Sequence, residues 1–420
     1  MKILLKKVLI ANSASVFNNT IKDILIVNGI IQSIQDNIIA EADTVIEEKD
    51  IIVSSGWVDC FAHFCDPGFE YRETVESGSK AAMAGGFTQV FVLPNTLPII
   101  QNKSQVEYIV QKSKQLPITI FPLGALTKNA EGKELAEMYD MYQSRAIAFS
   151  DGLNPVQTPG LFLKALQYTK AFNGTIIQMP IDKSISANGL INEGIISTQL
   201  GLPGLPTIAE EIMIKRDIDL LRYTESKLHI TGISTAKSIA LIKAAKAEGL
   251  QISCSVTPYH LFFNDEDVQQ YDTNLKLNPP LRTKADMLSL QQAVINGDID
   301  CIATHHLPQN NDEKICEFEY AANGMIGLQT AFAAINHAIP QLSNDAIAAL
   351  FSHNATTIFG LEKNNIEEGT KANLTLFSRT EKTILNKENN KSKSYNTPFA
   401  DKELNGKVIG VITKNNLYIN

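Results

Sequence analysis

Between about residue 55 and residue 361 the chain repeats one pattern, a short apolar β-prone run that ends in polar residues and gives way to a stretch of helical composition. The run that opens at Gly56 is followed by others at 89–95, 118–123, 146–151, 175–178, 227–231, 251–256 and 300–304. Strands that alternate with helices read as βα units feeding a parallel sheet. About eight such units over roughly 300 residues predict a (β/α)8 barrel of the TIM type with insertions. In that architecture the active site is built at the C-terminal ends of the strands, so the polar residues closing each run carry the functional reading.

The first run is the richest. Gly56-Trp57-Val58-Asp59-Cys60-Phe61-Ala62-His63-Phe64-Cys65 stops at Asp66-Pro67-Gly68, a turn signal. In an extended strand alternate residues share a face, which predicts Asp59, Phe61, His63 and Cys65 on one side. A thiol and an imidazole two residues apart suggest a nucleophile–base pair, although nothing nearby in sequence would activate the thiol.

Residues 1–54 hold short β-rich runs, with Asn28-Gly29 a hairpin signal between two of them. They are too few to bury a core alone. Residues 372–377 and 407–412 also read as strands, which predicts one small β-sandwich domain made from both chain ends. The expected division is therefore 1–54 with 362–420 for the sandwich, and 55–361 for the barrel. The Asn-, Lys- and Ser-rich stretch 382–394 reads as a solvated loop.

An ordered set of short motifs carries a family resemblance over nearly the whole chain. Gly85-Gly86-Phe87-Thr88 leads to Leu93-Pro94-Asn95-Thr96, and Gly201-Leu202-Pro203-Gly204 precedes Glu210. Ser234-Thr235-Ala236, Thr257-Pro258-Tyr259-His260, Asn278-Pro279-Pro280-Leu281-Arg282, Gly327-Leu328-Gln329-Thr330 and Phe359-Gly360-Leu361 follow in turn. With the first run, this set resembles the dihydroorotase branch of the amidohydrolase superfamily. That family opens a cyclic amide, or closes one from carbamoyl aspartate, using a metal pair that generates hydroxide and polarises the scissile carbonyl. The resemblance implies a barrel with the sandwich described above.

Matched motif by motif, the resemblance assigns metal to Phe61 and His63 on the first strand, Asp151 as the bridging acid, a position near Gln178, then Gly232 and His305. Of these six positions only His63 and Asp151 keep the family's residue type. The family's acid–base Asp is His305, its carboxylate-clamping Arg is Cys65, and its mouth-loop His is Gln309. Asn95 and Asn278 match the substrate-binding asparagines; each serves equally well as a rim residue bonding loop backbone. Asp151 can equally cap the chain before Gly152, and His305 and His306 can equally be rim residues. A catalytic zinc site uses three protein ligands and an open position. The phenyl ring of Phe61 puts apolar bulk where an ion would sit.

The expectation is a dihydroorotase-like protein with a dismantled metal centre, no cofactor, and a structural or regulatory role. The resemblance suggests aspartate transcarbamoylase as its partner, and a homo-oligomer. The alternatives are an active cyclic amidohydrolase with a single zinc on His63, Asp151 and His305, or a sensor that binds a small molecule through Asn95 and Asn278. A net charge of −8 argues against nucleic acid or an anionic membrane surface as the main partner. No apolar run reaches the ~18–20 residues that span a bilayer. Five cysteines without a CxxC pair suggest reduced thiols and a cytoplasmic protein.

Overall fold

A computed structural model describes residues 1–186 and 188–420. The two chain ends share one eight-stranded sheet. Its order is Asn416–Ile419, Glu403–Thr413, Leu374–Ile384, Ile52–Ser55, Lys2–Ile10, Ile21–Val27 and Ile30–Gln35, with Thr44–Ile46 also paired to Lys2–Ile10. The ends meet where Leu376 lies opposite Val53 in antiparallel register. Ile3, Leu5, Ile24, Ile26, Val53, Leu374, Leu376 and Ile412 form one buried cluster, so neither end has a core without the other. The Asn28-Gly29 turn is made as expected, with both residues in the left-handed region (φ 51° and 75°) that a tight hairpin needs.

The barrel is built from two parallel sheets. One orders Trp57–Ala62, Phe87–Val92 and Thr119–Pro122; the other orders Thr175–Gln178, Lys227–Thr231, Ile252–Val256 and Cys301–Ile302. Parallel bridges Gly124–Phe149 and Phe149–Ile176 join them on one side, so the run expected at 146–151 supplies a strand of a single bridged residue, Phe149. On the other side Ala62 bridges His306, and the His63 amide donates to the His306 carbonyl at 2.8 Å. The ring of eight is closed.

Helices cover the outside. The first, Val75–Ala84, starts on a capping box between Thr74 and Ser77 and stops at Gly85. Trp57 welds the barrel to the sheet: its ring packs on Phe351 at 4.6 Å and on Phe377 of the chain-end sheet at 5.3 Å.

Two expectations need correction. Strict alternation fails along Trp57–Ala62, because the register shifts between Asp59 and Ala62. Val58, Cys60 and Phe61 therefore all belong to the barrel's interior cluster. The stretch 382–394 is a solvated loop only in part, with Lys387, Glu388, Asn389, Lys391 and Lys393 exposed. Its first residues finish the strand Leu374–Ile384, and its last, Ser392–Ser394, dock on the barrel mouth. The Ser392 hydroxyl donates to Glu73, the Ser394 hydroxyl to the Arg72 carbonyl, and Asn396 just beyond donates to Leu307 and Gly324 carbonyls. At Ser392 and Ser394 its polar composition satisfies buried partners instead of water.

Candidate functional site

The first strand delivers Phe61 to the centre of the mouth, fully buried. Its ring lies on the imidazole of His305, 4.4 Å between centroids and tilted by 33°. His305 arrives from the far end of the last strand in a left-handed conformation (φ 45°). Its Cε1 stands 2.6 Å from where a side chain at Gly232 would begin. The His305 ring thus fills the volume that a ligand at position 232 would need.

Behind that ring runs a chain of hydrogen bonds through the barrel interior. Ser255 Oγ donates to Thr231 Oγ1 at 2.9 Å, and Thr231 Oγ1 lies 2.8 Å from His305 Nε2. Thr231 Oγ1 thus links the His305 ring to Ser255. His229 closes the chain from below through Ser253 and Ser255. Burial pushes both imidazoles down, each to about 3, so both are neutral.

The remaining candidates are each committed elsewhere. His63 Nδ1 accepts the Cys65 amide at 2.9 Å, so its ring proton sits on Nε2, 3.0 Å from the Asn95 carbonyl. Burial holds it down at about 4. Cys65 lies 3.1 Å from the same Nδ1, but burial and the nearby Glu73 carboxylate raise its thiol well above the ordinary range. No thiolate is available for covalent chemistry. Asp151 accepts the amide of Thr127 at 2.9 Å and its hydroxyl, and burial pushes its carboxyl up to about 6. Asn95 spans the next turn, taking the Leu153 amide and donating to the Asp151 carbonyl.

Gln178 departs from its expected place. Its amide faces Val156, Met213 and Asp217 on the helical side, while Ile177 belongs to the barrel interior. Alternation from Ile177 gives the next inward position to residue 179, where buried Met179 carries a thioether. The period-two rule applied to 175–179 would have found this. His260 is satisfied by Thr257 and the Pro280 carbonyl. Among the described residues no three His, Cys, Asp or Glu side chains gather as a metal site; His63, Asp151 and His305 do not converge.

Sequence reasoning missed two carboxylates that shape the mouth. Asp59 accepts the Thr304 amide at 2.9 Å and hydroxyl at 2.5 Å, clamping the last strand to the first. Glu73 lies buried against His306 Nε2 at 3.5 Å and holds the docked segment. What remains of the mouth is a cavity of about 250 Å³ between Phe61, Tyr259, Asn278, His305 and Gln309.

The fit of His305 against Gly232 has a measurable consequence. Gly232→Ala should cost about 2–3 kcal/mol, from overpacking on the ring and a φ of 71° that L residues resist. In a His305→Ala background only the backbone part, about 1 kcal/mol, should remain. Urea unfolding of the four proteins gives the coupling; purely additive costs would mean that the ring does not occupy this space.

Comparisons with known proteins point one way. The family described as Dihydro-orotase-like matches residues 50–238. A dihydroorotase of Syntrophus aciditrophicus (strain SB) is 37% identical over 414 residues, 97% of each chain. A dihydroorotase of Acetivibrio thermocellus is also 37% identical, over 96% of this chain and 95% of that one. Among solved structures, an L-hydantoinase (dihydropyrimidinase) from Arthrobacter aurescens superposes with a TM-score of 0.87 at 20% identity, over 100% of this chain and 96% of that one. A D-hydantoinase (dihydropyrimidinase) from Thermus sp. gives 0.82 at 19% identity, over 100% and 95%. These likenesses bear out the barrel with its chain-end sheet.

Proposed function

The chain belongs to the dihydroorotase family, and from that premise we propose that it is a member that has lost ring hydrolysis and keeps the fold for a structural or regulatory role. One observation carries this reading: the His305 ring stacks on Phe61 and fills the side-chain volume of Gly232. The three positions belong to the resemblance's metal set, and they form a packed contact. Of the oxygen and nitrogen donors left, His63 is bonded on both ring nitrogens and Asp151 on both oxygens. The residues present do not fit the metal pair, and no hydrolytic step is derived through one. As the resemblance suggests, the role is that of a self-associating partner of aspartate transcarbamoylase in pyrimidine synthesis.

A second reading keeps the enzyme active, converting dihydroorotate to N-carbamoyl-aspartate on a reduced zinc site. What favours it is identity of 37% across 97% of a relative named dihydroorotase. The two readings part on turnover. Purified, zinc-supplemented protein given millimolar dihydroorotate should form no N-carbamoyl-aspartate above buffer. A rate near the ~10 s⁻¹ typical of enzymes would establish the second reading and end the first.

A further inference from the structure

The geometry points to the residual mouth cavity as a binding site for a small uncharged molecule with an amide edge, and against the carboxylate-bearing ligands of the family reaction. This deepens the non-hydrolytic reading and rests on it for the absence of a metal.

The cavity, of about 250 Å³, exceeds the ~150 Å³ that holds a benzene-sized guest and suits one substituted ring. Three polar groups with spare hydrogen-bonding capacity line it. Gln309 donates its Nε2 to the Asn323 carbonyl at 2.7 Å, which fixes the amide, and leaves Oε1 buried without a partner. A buried acceptor in that state favours a ligand N–H. His305 Nδ1 has no hydrogen-bond partner among the described residues. The Asn278 side chain also has no hydrogen-bond partner among the described residues, and supplies one donor and one acceptor. The Gln309 acceptor, the open His305 nitrogen and the two-way Asn278 amide together complement a carbonyl next to an N–H.

Charge excludes the alternative. No Lys or Arg lines the cavity. Where the resemblance expects an arginine, Cys65 stands with its thiol against His63. The Glu73 carboxylate behind His306 is of the wrong sign for an anion. A ligand carboxylate would lose its hydration with no cation in exchange.

Dihydrouracil and dihydroorotate test this, because they share one ring and differ by the carboxylate. Titration of the full-length protein, followed by calorimetry and ligand-observed NMR, should show saturable dihydrouracil binding, and binding of dihydroorotate weaker by roughly tenfold or more. Asn278→Ala, at a half-exposed position that threatens folding little, should weaken dihydrouracil by roughly tenfold, and Gln309→Leu should do the same. Equal or tighter binding of dihydroorotate overturns the proposal. So does binding that both variants leave unchanged, or no binding of dihydrouracil at 10 mM, roughly the weakest contact a buried amide edge would give. Failure of the parent reading looks different: it appears as ring-opened product from dihydroorotate, whatever the affinities.

Discussion

Replacing Glu73 with alanine is expected to lower the stability of the folded protein by about 3–5 kcal/mol. Glu73 is fully buried beneath the mouth and receives the Ser77 and Ser392 hydroxyls and, at 3.2 Å, the Lys393 amide. Its Oε2 also faces His306 Nε2 at 3.5 Å, an atom with no other partner. Alanine would leave these donors in a pocket that water does not reach, each costing about 1–3 kcal/mol unless the segment peels away. The second outcome frees Ser392 and Lys393 from the barrel, while Asn396 still holds the segment at the Leu307 and Gly324 carbonyls. Burial by itself would raise the Glu73 carboxyl, but the His306 contact and the hydroxyls outweigh it and hold it below the ordinary glutamate value.

The sign of the pH dependence follows. A depressed carboxyl contributes stability above the unfolded-state pKa of about 4.3, and that contribution is lost as the pH falls through the folded value. Urea unfolding, read from the single tryptophan, Trp57, at the junction of barrel and sheet, should show the full loss for Glu73→Ala at pH 7. The gap between wild type and Glu73→Gln should narrow below about pH 4. A loss under about 1 kcal/mol at pH 7 would mean that the docked segment does not depend on this carboxylate.

Much of this was legible in the sequence, and the failures have physical causes. Strand ends such as 227–231 and 252–256 are apolar β-prone runs cut off by turn chemistry, and local pattern places them well. Phe61, Gly232 and His305 were readable as departures from a ligand set. That they depart together, ring on ring and ring into the space of a missing side chain, appears only when the first and last strands close the barrel. The bulge that turns both Cys60 and Phe61 inward leaves no trace in composition. Near Gln178 the family motif fits only with a one-residue shift around 178–180, and the Gln178 amide turns to the helical side. Ser392 and Ser394 read as solvated because hydroxyls usually are, and Asn396 lies just beyond that stretch. Here their partners are a buried carboxylate and the carbonyls of the rim, far away in sequence.

Zinc uptake should show the second large effect. A working pair would hold about two equivalents, and the donors seen here should hold almost none. To bind, a zinc ion would have to take the His63 nitrogens from the Asn95 carbonyl and the Cys65 amide, and the Asp151 oxygens from Thr127. It would also have to part Phe61 from His305. Protein incubated with excess zinc, desalted and analysed for bound metal should carry less than about a tenth of an equivalent. One equivalent or more, lost on His63→Ala, would contradict the account.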